Sequence, residues 1–378
     1  MALICVALIC LGSSGCFRTR GSEQDIHHPT SQNMPRDDEL ADRINKSDAA
    51  IGSVPATSLA GALRSATVIT TIGSSTASGG STVFGLIEDL AVGPDGRLYV
   101  LDSRLNEVQV FTRGGSPIGR AGEPGVGPGA LAAPEAMTLI ANRELVIADR
   151  YKALKFFDIT GDAPVYRGVT ELDFIPEDFC VLRNRIFIYG WQADGTFIHE
   201  FTTGGKHVKS FGRPYDSPNL LVQNQLTEGP IECVEDEEIV VAMHEFLPIV
   251  YGYSADGELV WQSLLQDFKI IDIIEGVRNG RPAVVFSYAR GEFDRAETIL
   301  PTATSAVVLQ IVRSDSSSVA SRAEYKEVHT YVIDARTGEG LYAGRGAGIL
   351  RAIGPNMAAA AMNRPFPHVN ILSLEISK

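Results

Sequence analysis

The most regular unit of this chain runs from Ile87 to Gly122 and reads IEDLAVGPDGRLYVLDSRLNEVQVFTRGGSPIGRAG. Its apolar residues fall into four short runs that are separated by turn-forming residues. The first turn, Pro94 to Gly96, has a proline that presets φ and a glycine that accepts a positive φ. The unit therefore predicts four antiparallel strands. One such sheet cannot bury both of its faces, so the pattern predicts a fold only if it recurs.

The unit does recur along the chain. The glycines that turn the third strand of each unit into the fourth follow one another at intervals of about 45 to 50 residues. They are Gly115, Gly161, Gly205 and Gly257. The interval to the next one, Gly338, is longer and holds a further unit, an insertion over 268–297 and a serine-rich loop over 314–322. The last unit lacks a fourth strand, which the segment Ala66 to Ile72 can supply.

Repeats of this length with four strands each are typical of a β-propeller, whose radial sheets leave only short, protected edges. We therefore predict an all-β fold, a six-bladed β-propeller of four-stranded blades over residues 62–378. The N-terminal strand closes the last blade, so that no sheet edge is left for aggregation. Seven blades are the alternative, because the long interval before Gly338 has room for a second short unit.

The residues also carry a family resemblance. The segment Ala91 to Ser103, followed by Val108 to Phe111 and by the glycine-rich run Gly122 to Gly129, resembles an NHL-type propeller repeat. Residues 66–376 as a whole resemble the six-bladed propeller lipoproteins of bacteria, a group with few assigned functions. The resemblance is specific in the first two units and fades to a strand pattern afterwards. It implies a propeller that is attached to the cell envelope.

The N-terminus predicts export. Residues 3–11 form an apolar run that is too short to span a bilayer and fits a secretory signal peptide over 1–15. The run Gly12 to Cys16 resembles a bacterial lipobox, which predicts lipidation of Cys16 and a membrane anchor. No Lys or Arg precedes the run, and Ser13 stands where leucine is usual, so an ordinary secretory signal that is cut elsewhere is the alternative. Residues 16–61 are polar and predict a flexible tether.

Composition excludes one class of partner. The 378 residues carry a formal net charge of −13 and no Lys/Arg-rich run, which argues against binding to nucleic acid. Cys180 and Cys233 occupy matching positions in two successive units, as FCVL and ECVE. We interpret them as two buried small apolar residues on innermost strands. The alternative, a disulfide bond, needs Cα atoms within about 7 Å.

The candidate functional residues follow from the fold. In a propeller, the loops that enter the innermost strands and those that join second to third strands open on one face, around the axial channel. Two groups are therefore expected at the channel mouth. The residues at the innermost strands are Glu88, Glu135, Glu177 and Glu232. The residues that follow second strands are Asp102, Arg104, Asp149, Arg150, Trp191, His244, Arg313 and Asn363.

These residues have a structural and a functional interpretation. Carboxylates and arginines in such loops often form ion pairs between blades, or accept hydrogen bonds from loop N–H groups, as the recurrence of Asp102 and Asp149 suggests. Functionally, four carboxylates around one channel repel one another unless a cation, arginines or protonation compensates. Trp191 and Tyr151 then offer stacking surfaces, and the arginines suit an anionic or peptide ligand.

We favour a non-catalytic binding or scaffold module at the bacterial cell envelope, with an unidentified protein, peptide or small-molecule ligand and no cofactor. The alternative is a calcium-dependent propeller hydrolase or lactonase with His244 as general base. The asparagine-rich ligand set of those enzymes is not apparent in this sequence. A purely structural envelope protein is a third class.

Overall fold

The computed structural model describes residues 17–18, 26–27, 35–46, 54–75 and 82–374, except for 142, 193, 218, 279–280, 288–290, 316–324, 347 and 355. The expected signal peptide (1–15) and the expected lipidation site, Cys16, lie outside the described residues. Within those residues, no helix is both long and apolar enough to cross a membrane.

The N-terminal part contains short elements before the first full sheet. They are β1 (Phe17–Arg18), β2 (Ile26–His27), a 3-10 helix (Asp37–Glu39), β3 (Asp42–Ile44), α1 (Val54–Ser65) and β4 (Thr67–Ile72).

Four-stranded antiparallel sheets make up the body of the chain, and consecutive strands are neighbours in each sheet. The first sheet contains β5 (Ile87–Val92), β6 (Leu98–Asp102), β7 (Glu107–Phe111) and β8 (Pro117–Ala121). The second contains β9 (Pro134–Ile140), β10 (Glu144–Asp149), β11 (Ala153–Asp158) and β12 (Val165–Glu171). The third contains β13 (Asp178–Leu182), β14 (Arg185–Tyr189), β15 (Ile198–Thr202) and β16 (His207–Phe211).

The fourth sheet follows α2 (Leu220–Leu226). It contains β17 (Ile231–Val234), β18 (Ile239–Met243), β19 (Ile249–Ser254) and β20 (Leu259–Leu265), with a 3-10 helix at Glu235–Glu237. Next comes a hairpin of β21 (Asp272–Arg278) and β22 (Arg281–Ser287). The fifth sheet contains β23 (Phe293–Pro301), β24 (Ala306–Ser314), β25 (Glu327–Asp334) and β26 (Gly340–Gly346). The last contains β27 (Ile349–Gly354), β28 (Met357–Met362), β29 (His368–Ser373) and β4.

The N-terminal strand completes the last sheet, as the sequence predicts. β4 pairs antiparallel with β29, with Ile72 opposite Val369 and Thr67 opposite Ser373. The first strands of the sheets contact one another in the cyclic order β5, β9, β13, β17, β23 and β27, and β27 returns to β5. The described chain is therefore all-β and propeller-like.

The recurring glycines shape the outer edge of the sheets. Gly115, Gly205, Gly257 and Gly338 have φ between 78° and 84°, where a side chain is strained. In the first, third and fourth sheets the pairing of the third and fourth strands also shifts register near the turn, for example between Val110 and Phe111. A glycine with positive φ beside a bulge increases the local twist of the strand pair.

Apolar side chains fill the spaces between neighbouring sheets. Between the first and second sheets, Leu101 and Val108 are fully buried in one cluster with Leu145 and Ile147. The second strands are buried on both faces, as in β6, whose five residues are all buried. Burial on both faces explains why these strands are continuous apolar runs, whereas the outer strand β12 alternates between exposed and half-buried residues.

The two body cysteines form a disulfide bond, which corrects the interpretation of two separate apolar residues. Cys180 and Cys233 lie on β13 and β17, with Cα atoms 5.4 Å apart. The expectation that both lie on innermost strands is confirmed. The bond therefore joins the first strands of the third and fourth sheets.

Parts of the segment 16–61 are packed, so the expectation of a flexible tether is wrong for them. β3 adds to β20 as a parallel fifth strand, and Ile44 is buried beside Trp261 in the core. In α1, Ala56, Leu59 and Ala60 are buried against the fifth and last sheets. These apolar contacts fix both elements on the body of the protein.

The insertion before the fifth sheet is also shorter than expected. The expected range 268–297 includes the start of β23, the first strand of the fifth sheet. The remaining hairpin pairs through β21 with β1 and β2 in a separate sheet. Among the described residues, β21 and β22 lie outside the cyclic order of first strands.

Candidate functional site

The loops at one end of the ring of sheets surround a cavity. A channel of about 460 Å³ runs along the first strands, and a smaller space of about 180 Å³ adjoins it at the end where these strands begin. We call the smaller space the mouth. Its lining includes residues that precede first strands, such as Glu177, and residues that follow second strands, such as Arg150 and Asn363. Of the twelve expected residues, Glu88, Glu135, Glu177, Arg150 and Asn363 line the mouth.

Charged side chains dominate the lining of the mouth. They come from the first strands and their flanking loops around the ring. The carboxylates are Glu88, Glu135, Glu177, Glu228, Glu245 and Glu297, and the guanidinium groups are Arg150, Arg295 and Arg351.

Arg150 bridges two of the expected glutamates. Its Nη1 lies 3.2 Å from Oε1 of Glu135 and 3.3 Å from Oε2 of Glu177, so both carboxylates contact one nitrogen. Burial lowers the pKa of Arg150, but the two glutamates outweigh it and the net pKa is raised. Arg150 is therefore a cation that is already paired on two sides.

A second bridge lies across the ring. Arg295 lies 3.2 Å from Glu245 and 2.8 Å from Glu297, and Arg351 lies 2.6 Å from the other oxygen of Glu297. Burial lowers the pKa of both arginines, but Glu297 and neighbouring carboxylates raise it by more, so the pKa of each arginine is raised overall. All three guanidinium groups of the mouth thus contact carboxylates, and of the arginines expected for an anionic or peptide ligand only Arg150 is among them.

Glu88 and Asn363 complete the expected residues at the mouth. Oε2 of Glu88 accepts a hydrogen bond of 2.8 Å from the hydroxyl of Ser103. Burial raises the pKa of Glu88, and the nearby charge of Glu135 raises it further. Oδ1 of Asn363 is buried and has no hydrogen-bond partner among the described residues. The amide oxygen of Asn363 is therefore available to a ligand in the mouth.

A second set of carboxyl groups lines the channel below the mouth. Asp89, Asp178 and Glu232 contact the larger space but not the smaller one, and we call them the carboxyl tier. Asp89 on β5 accepts the N–H of Met137 on β9 at 2.7 Å, and Asp178 on β13 accepts the N–H of Ile231 on β17 at 3.0 Å. Glu232 lies here, so its expected position at the mouth is wrong, and Glu228 takes that position.

The carboxyl tier holds protons at higher pH than ordinary carboxyl groups. Burial raises the pKa of Asp89 to about 7 and that of Asp178 to about 6. Burial also raises the pKa of Glu232 well above its ordinary value, and the charges of Asp178 and Asp89 add to this effect. Asp89 and Asp178 therefore gain negative charge as the pH rises through the neutral range.

Asp102 and Asp149 are structural, so their expected place in the binding site is wrong. Both are fully buried. Asp102 accepts hydrogen bonds from the N–H groups of four residues in two loops, at 2.6 to 3.1 Å. Asp149 accepts three such bonds and one from the ammonium group of buried Lys155 at 2.9 Å. These bonds satisfy loop N–H groups that would otherwise be buried without partners.

Three further expected residues lie away from the mouth. Arg104 is exposed and does not line the cavity. Arg313 forms a bidentate ion pair with Asp294, with two contacts of 2.7 Å, outside the channel. His244 is buried, and its Nδ1 lies 2.7 Å from the hydroxyl of Tyr189. His244 lines a different pocket and does not face the mouth, so it is not placed as a general base there.

Trp191 lies beside the mouth in an apolar depression of about 700 Å³, whose wall also includes Arg150 and Glu228. Leu220 and Leu221 of α2 lie in this depression and are 54% and 42% exposed. The helix begins there because the side chain of Asn219 accepts the N–H of Leu221. Tyr151 is 66% exposed and does not line the depression.

Several charged residues of the cavity were missed in the sequence. Glu245, Arg295, Glu297 and Arg351 lie in the later units, where the repeat pattern is weakest and the expected insertion hid β23. A signal did exist for the carboxyl tier. The doublets Glu88-Asp89 and Glu177-Asp178 lie at the start of first strands, and in each of them the first carboxyl group lines the mouth and the second belongs to the carboxyl tier.

Within the part of the chain that the structure describes, no group of three His, Cys, Asp or Glu side chains has the arrangement of a metal site.

Comparisons with known proteins bear on the fold. No family model matches the chain, and no curated protein matches it. Among solved structures, the chain is similar to a Bacteroides fragilis protein whose name describes it as exported, with a TM-score of 0.56 and 12% identity over 90% of this chain and 100% of that one. It is also similar to a member of the DUF4221 family from Bacteroides vulgatus, with a TM-score of 0.56 and 8% identity over 82% of this chain and 98% of that one. These structures are β-propeller-like, and the likeness concerns the fold alone.

Proposed function

We propose that this chain is a six-bladed β-propeller that binds a positively charged ligand at its mouth without chemical conversion. The cyclic contacts of six first strands and the completion of the last sheet by β4 support the blade count. The observation that carries the function is the charge of the mouth, which has three more carboxylates than guanidinium groups. In the described lining, the formal charge therefore stays negative after the arginines form their ion pairs.

A cation in the mouth relieves the repulsion among these carboxylates. The protein around the mouth has a lower dielectric constant than water, which strengthens interactions between charges. Each glutamate therefore attracts a bound cation more strongly than it would in water. The carboxyl tier adds to this attraction once its protons are lost. An ammonium or guanidinium group is therefore the chemistry that we expect in the mouth.

The depression beside the mouth suggests the rest of the ligand. It places the Trp191 ring and the exposed side chains of Leu220 and Leu221 next to Glu177 and Glu228. Exposed apolar groups in a concave site favour an apolar ligand part. The proposed ligand therefore carries a cationic group and an apolar group, as a small aryl amine does, or a peptide with a basic and an apolar side chain.

The geometry does not favour the calcium-dependent hydrolase alternative. The proposed general base, His244, contacts Tyr189 rather than the mouth. Asn363 is the one asparagine in the described lining of the mouth, whereas those enzymes use several. We therefore retain binding as the proposed activity.

We further propose that the protein acts at the bacterial cell envelope. The disulfide bond between Cys180 and Cys233 supports an oxidising compartment. The exported relative of similar fold and the lipobox-like run before Cys16 agree with this location. Mass spectrometry of the N-terminus of the native protein tests the lipid anchor, and an unmodified start at another residue would contradict it.

Calorimetric titration with 2-phenylethylamine tests the ligand class, with phenylacetate as the anionic comparison. We expect the amine to bind and phenylacetate not to bind. The variant Glu88→Gln keeps the hydrogen bond from Ser103 but removes a charge, so it should weaken amine binding about tenfold. Glu123→Gln is the matched control, because Glu123 is exposed and lies outside the cavity.

The pH dependence of amine affinity, measured in the same titration, is a second test. Amine affinity should rise from about pH 5 to pH 8, because Asp178 and Asp89 lose protons in this range while the amine stays charged. Tighter binding of phenylacetate, or equal amine affinity in Glu88→Gln and wild type, would show that the mouth is not a cation site.

A further inference from the structure

The outer strand of the last sheet, β4, has one edge without a partner strand. It pairs with β29 on one side, and among the described strands none pairs with its other side. Its sequence is TVITTI, so all of its residues are β-branched and none is charged. Val68 and Ile69 are 55% and 62% exposed. β-branched residues favour a strand, so this edge presents free N–H and C=O groups. The expectation that closure leaves no free edge is wrong for β4.

The other outer strands have features that oppose pairing with another chain. Charged residues or proline at an edge have this effect, and so does a strand or helix that covers the edge. β3 covers β20, and α1 packs against β26. The remaining outer strands carry proline or charged residues, namely Pro117 and Arg120 on β8, Arg167 and Glu171 on β12, and Lys209 on β16.

Among the outer strands that the structure describes, β4 is the one without a charge, a proline or a cover. Its pairing with β29 skips Ile69, which forms a bulge. Register shifts also occur in the outer strand pairs of the other sheets, so the bulge does not distinguish β4. A six-residue segment with high β-propensity and no charge is the kind that pairs with another copy of itself.

A second copy of this chain presents an edge that matches β4. Antiparallel pairing around a twofold axis at the middle of the strand places Thr67 of one copy opposite Ile72 of the other. Val68 then lies opposite Thr71, so aliphatic residues lie opposite threonines and no charge lies at the contact. Such β-branched pairs across two strands stabilise a sheet. The edge is therefore self-complementary, as a twofold interface requires.

The charge of the protein favours this edge over the rest of the surface. The formal net charge is −13, so two copies repel each other at a distance. An uncharged strand can approach its copy without the cost of burying a charge. Salt screens the long-range repulsion between the copies. Pairing through β4 should therefore become stronger as the ionic strength rises.

We propose that two copies of this chain form a dimer by antiparallel pairing of their β4 strands, an interaction beyond ligand binding at the mouth. The two four-stranded last sheets then form one continuous sheet. The six residues of β4 from each copy form this contact, whereas a standard interface uses roughly 20 to 30 residues per side. The dimer should therefore be weak and should dissociate on dilution.

Sedimentation of the full chain over a range of protein concentrations tests the proposal. We expect a reversible equilibrium of monomer and dimer that shifts toward the dimer when sodium chloride is added. The variant Val68→Lys places a charge at the contact and should weaken dimerisation about tenfold or more. Ile69→Lys should act in the same way. Because both side chains are exposed, the urea midpoints of the two variants should stay close to that of wild type.

Val169→Lys is the matched control, since Val169 is an exposed valine on β12, an outer strand that already carries charges. The apolar run over 3–11 is present in all of these chains, so association through it would affect the β4 variants and the control alike. A weaker dimer in both β4 variants, with Val169→Lys equal to wild type, supports the proposal. A monomer at every concentration, a dimer that weakens with salt, or equal dimerisation of Val68→Lys and wild type would overturn it.

Discussion

Removal of the disulfide bond between Cys180 and Cys233 tests how the third and fourth sheets are held together. Both cysteines are buried, at 2% and 5% exposure, on neighbouring first strands. The same strands carry Asp178 and Glu232 of the carboxyl tier. The double variant Cys180→Ala/Cys233→Ala removes the bond and leaves small apolar side chains in its place.

The sequence separation of the two cysteines sets the expected magnitude. With a sequence separation of 53, the chain-entropy relation gives about 4 kcal/mol at 25 °C for the loss of the cross-link in the unfolded state. The urea dependence of unfolding increases with protein size, so this loss corresponds to a fall in the urea midpoint on the order of 1 M.

Urea unfolding with and without dithiothreitol is the assay. Dithiothreitol should lower the midpoint of wild type to that of the double variant and should leave the double variant unchanged. Cys5, Cys10 and Cys16 are the same in both chains, so the treated variant controls for their chemistry. Equal urea midpoints for the oxidised wild type and the double variant would refute the reasoning. The cross-link would then not reduce the conformational entropy of the unfolded chain.

Three further predictions use single substitutions. Burial raises the pKa of Glu232, so the folded state keeps a proton that the unfolded state loses above its ordinary value of 4.5. Wild type should therefore lose stability relative to Glu232→Gln as the pH rises from about 5 to 8. If the urea midpoints of the two proteins changed equally with pH, the prediction would be wrong. Asp102→Ala leaves four loop N–H groups without their acceptor and should cost about 3 kcal/mol by the same assay. Asp95→Ala loses one exposed hydrogen bond and an exposed ion pair with Arg97, and should cost less than about 1 kcal/mol. Gly252→Ala places a Cβ against the buried Trp261 ring and should lower the free energy of unfolding by about 1 to 3 kcal/mol. Gly114→Ala, whose Cβ would meet Thr112 only at an ordinary contact distance of 3.8 Å, should be close to neutral.

The strands of the first unit could be predicted closely because their signals are local. The four strands expected between Ile87 and Gly122 are present as β5 to β8. Turn residues and apolar runs act over a few positions and need no information from the rest of the chain. The pairing of β4 with β29 was also predictable, because a unit that lacks one strand leaves an edge that another segment must cover.

The helix α1 was missed although the sequence carries its signal. Ala56, Leu59, Ala60 and Leu63 have the spacing of one helix face, and Pro55 lies in the first turn, where proline is tolerated. The polar composition of the surrounding segment concealed this pattern. The parallel addition of β3 to β20 has no comparable signal, since its three residues find their partner far away in the sequence.

The candidate site was predictable where the repeat is regular. Glu88, Glu135, Glu177 and Arg150 occupy positions that the first three units define, and the structure brings them to the mouth. In the later units, loop lengths change, so Glu232 lies one tier lower than expected and Arg313 pairs outside the channel. When loop lengths differ between units, residues at the same repeat position no longer lie at the same place around the axis.

The sequence alone determined the local architecture of this protein: the four-stranded unit, its recurrence, the strand that completes the last sheet and an acidic end of the axis. Only the tertiary structure decided which charges meet, which carboxyl groups are buried deep enough to hold a proton, that Cys180 bonds to Cys233, and where His244 lies. The reason is physical. Strands and turns depend on neighbours along the chain, whereas pairing of charges and burial of polar atoms depend on side chains from different sheets that only the folded ring brings together.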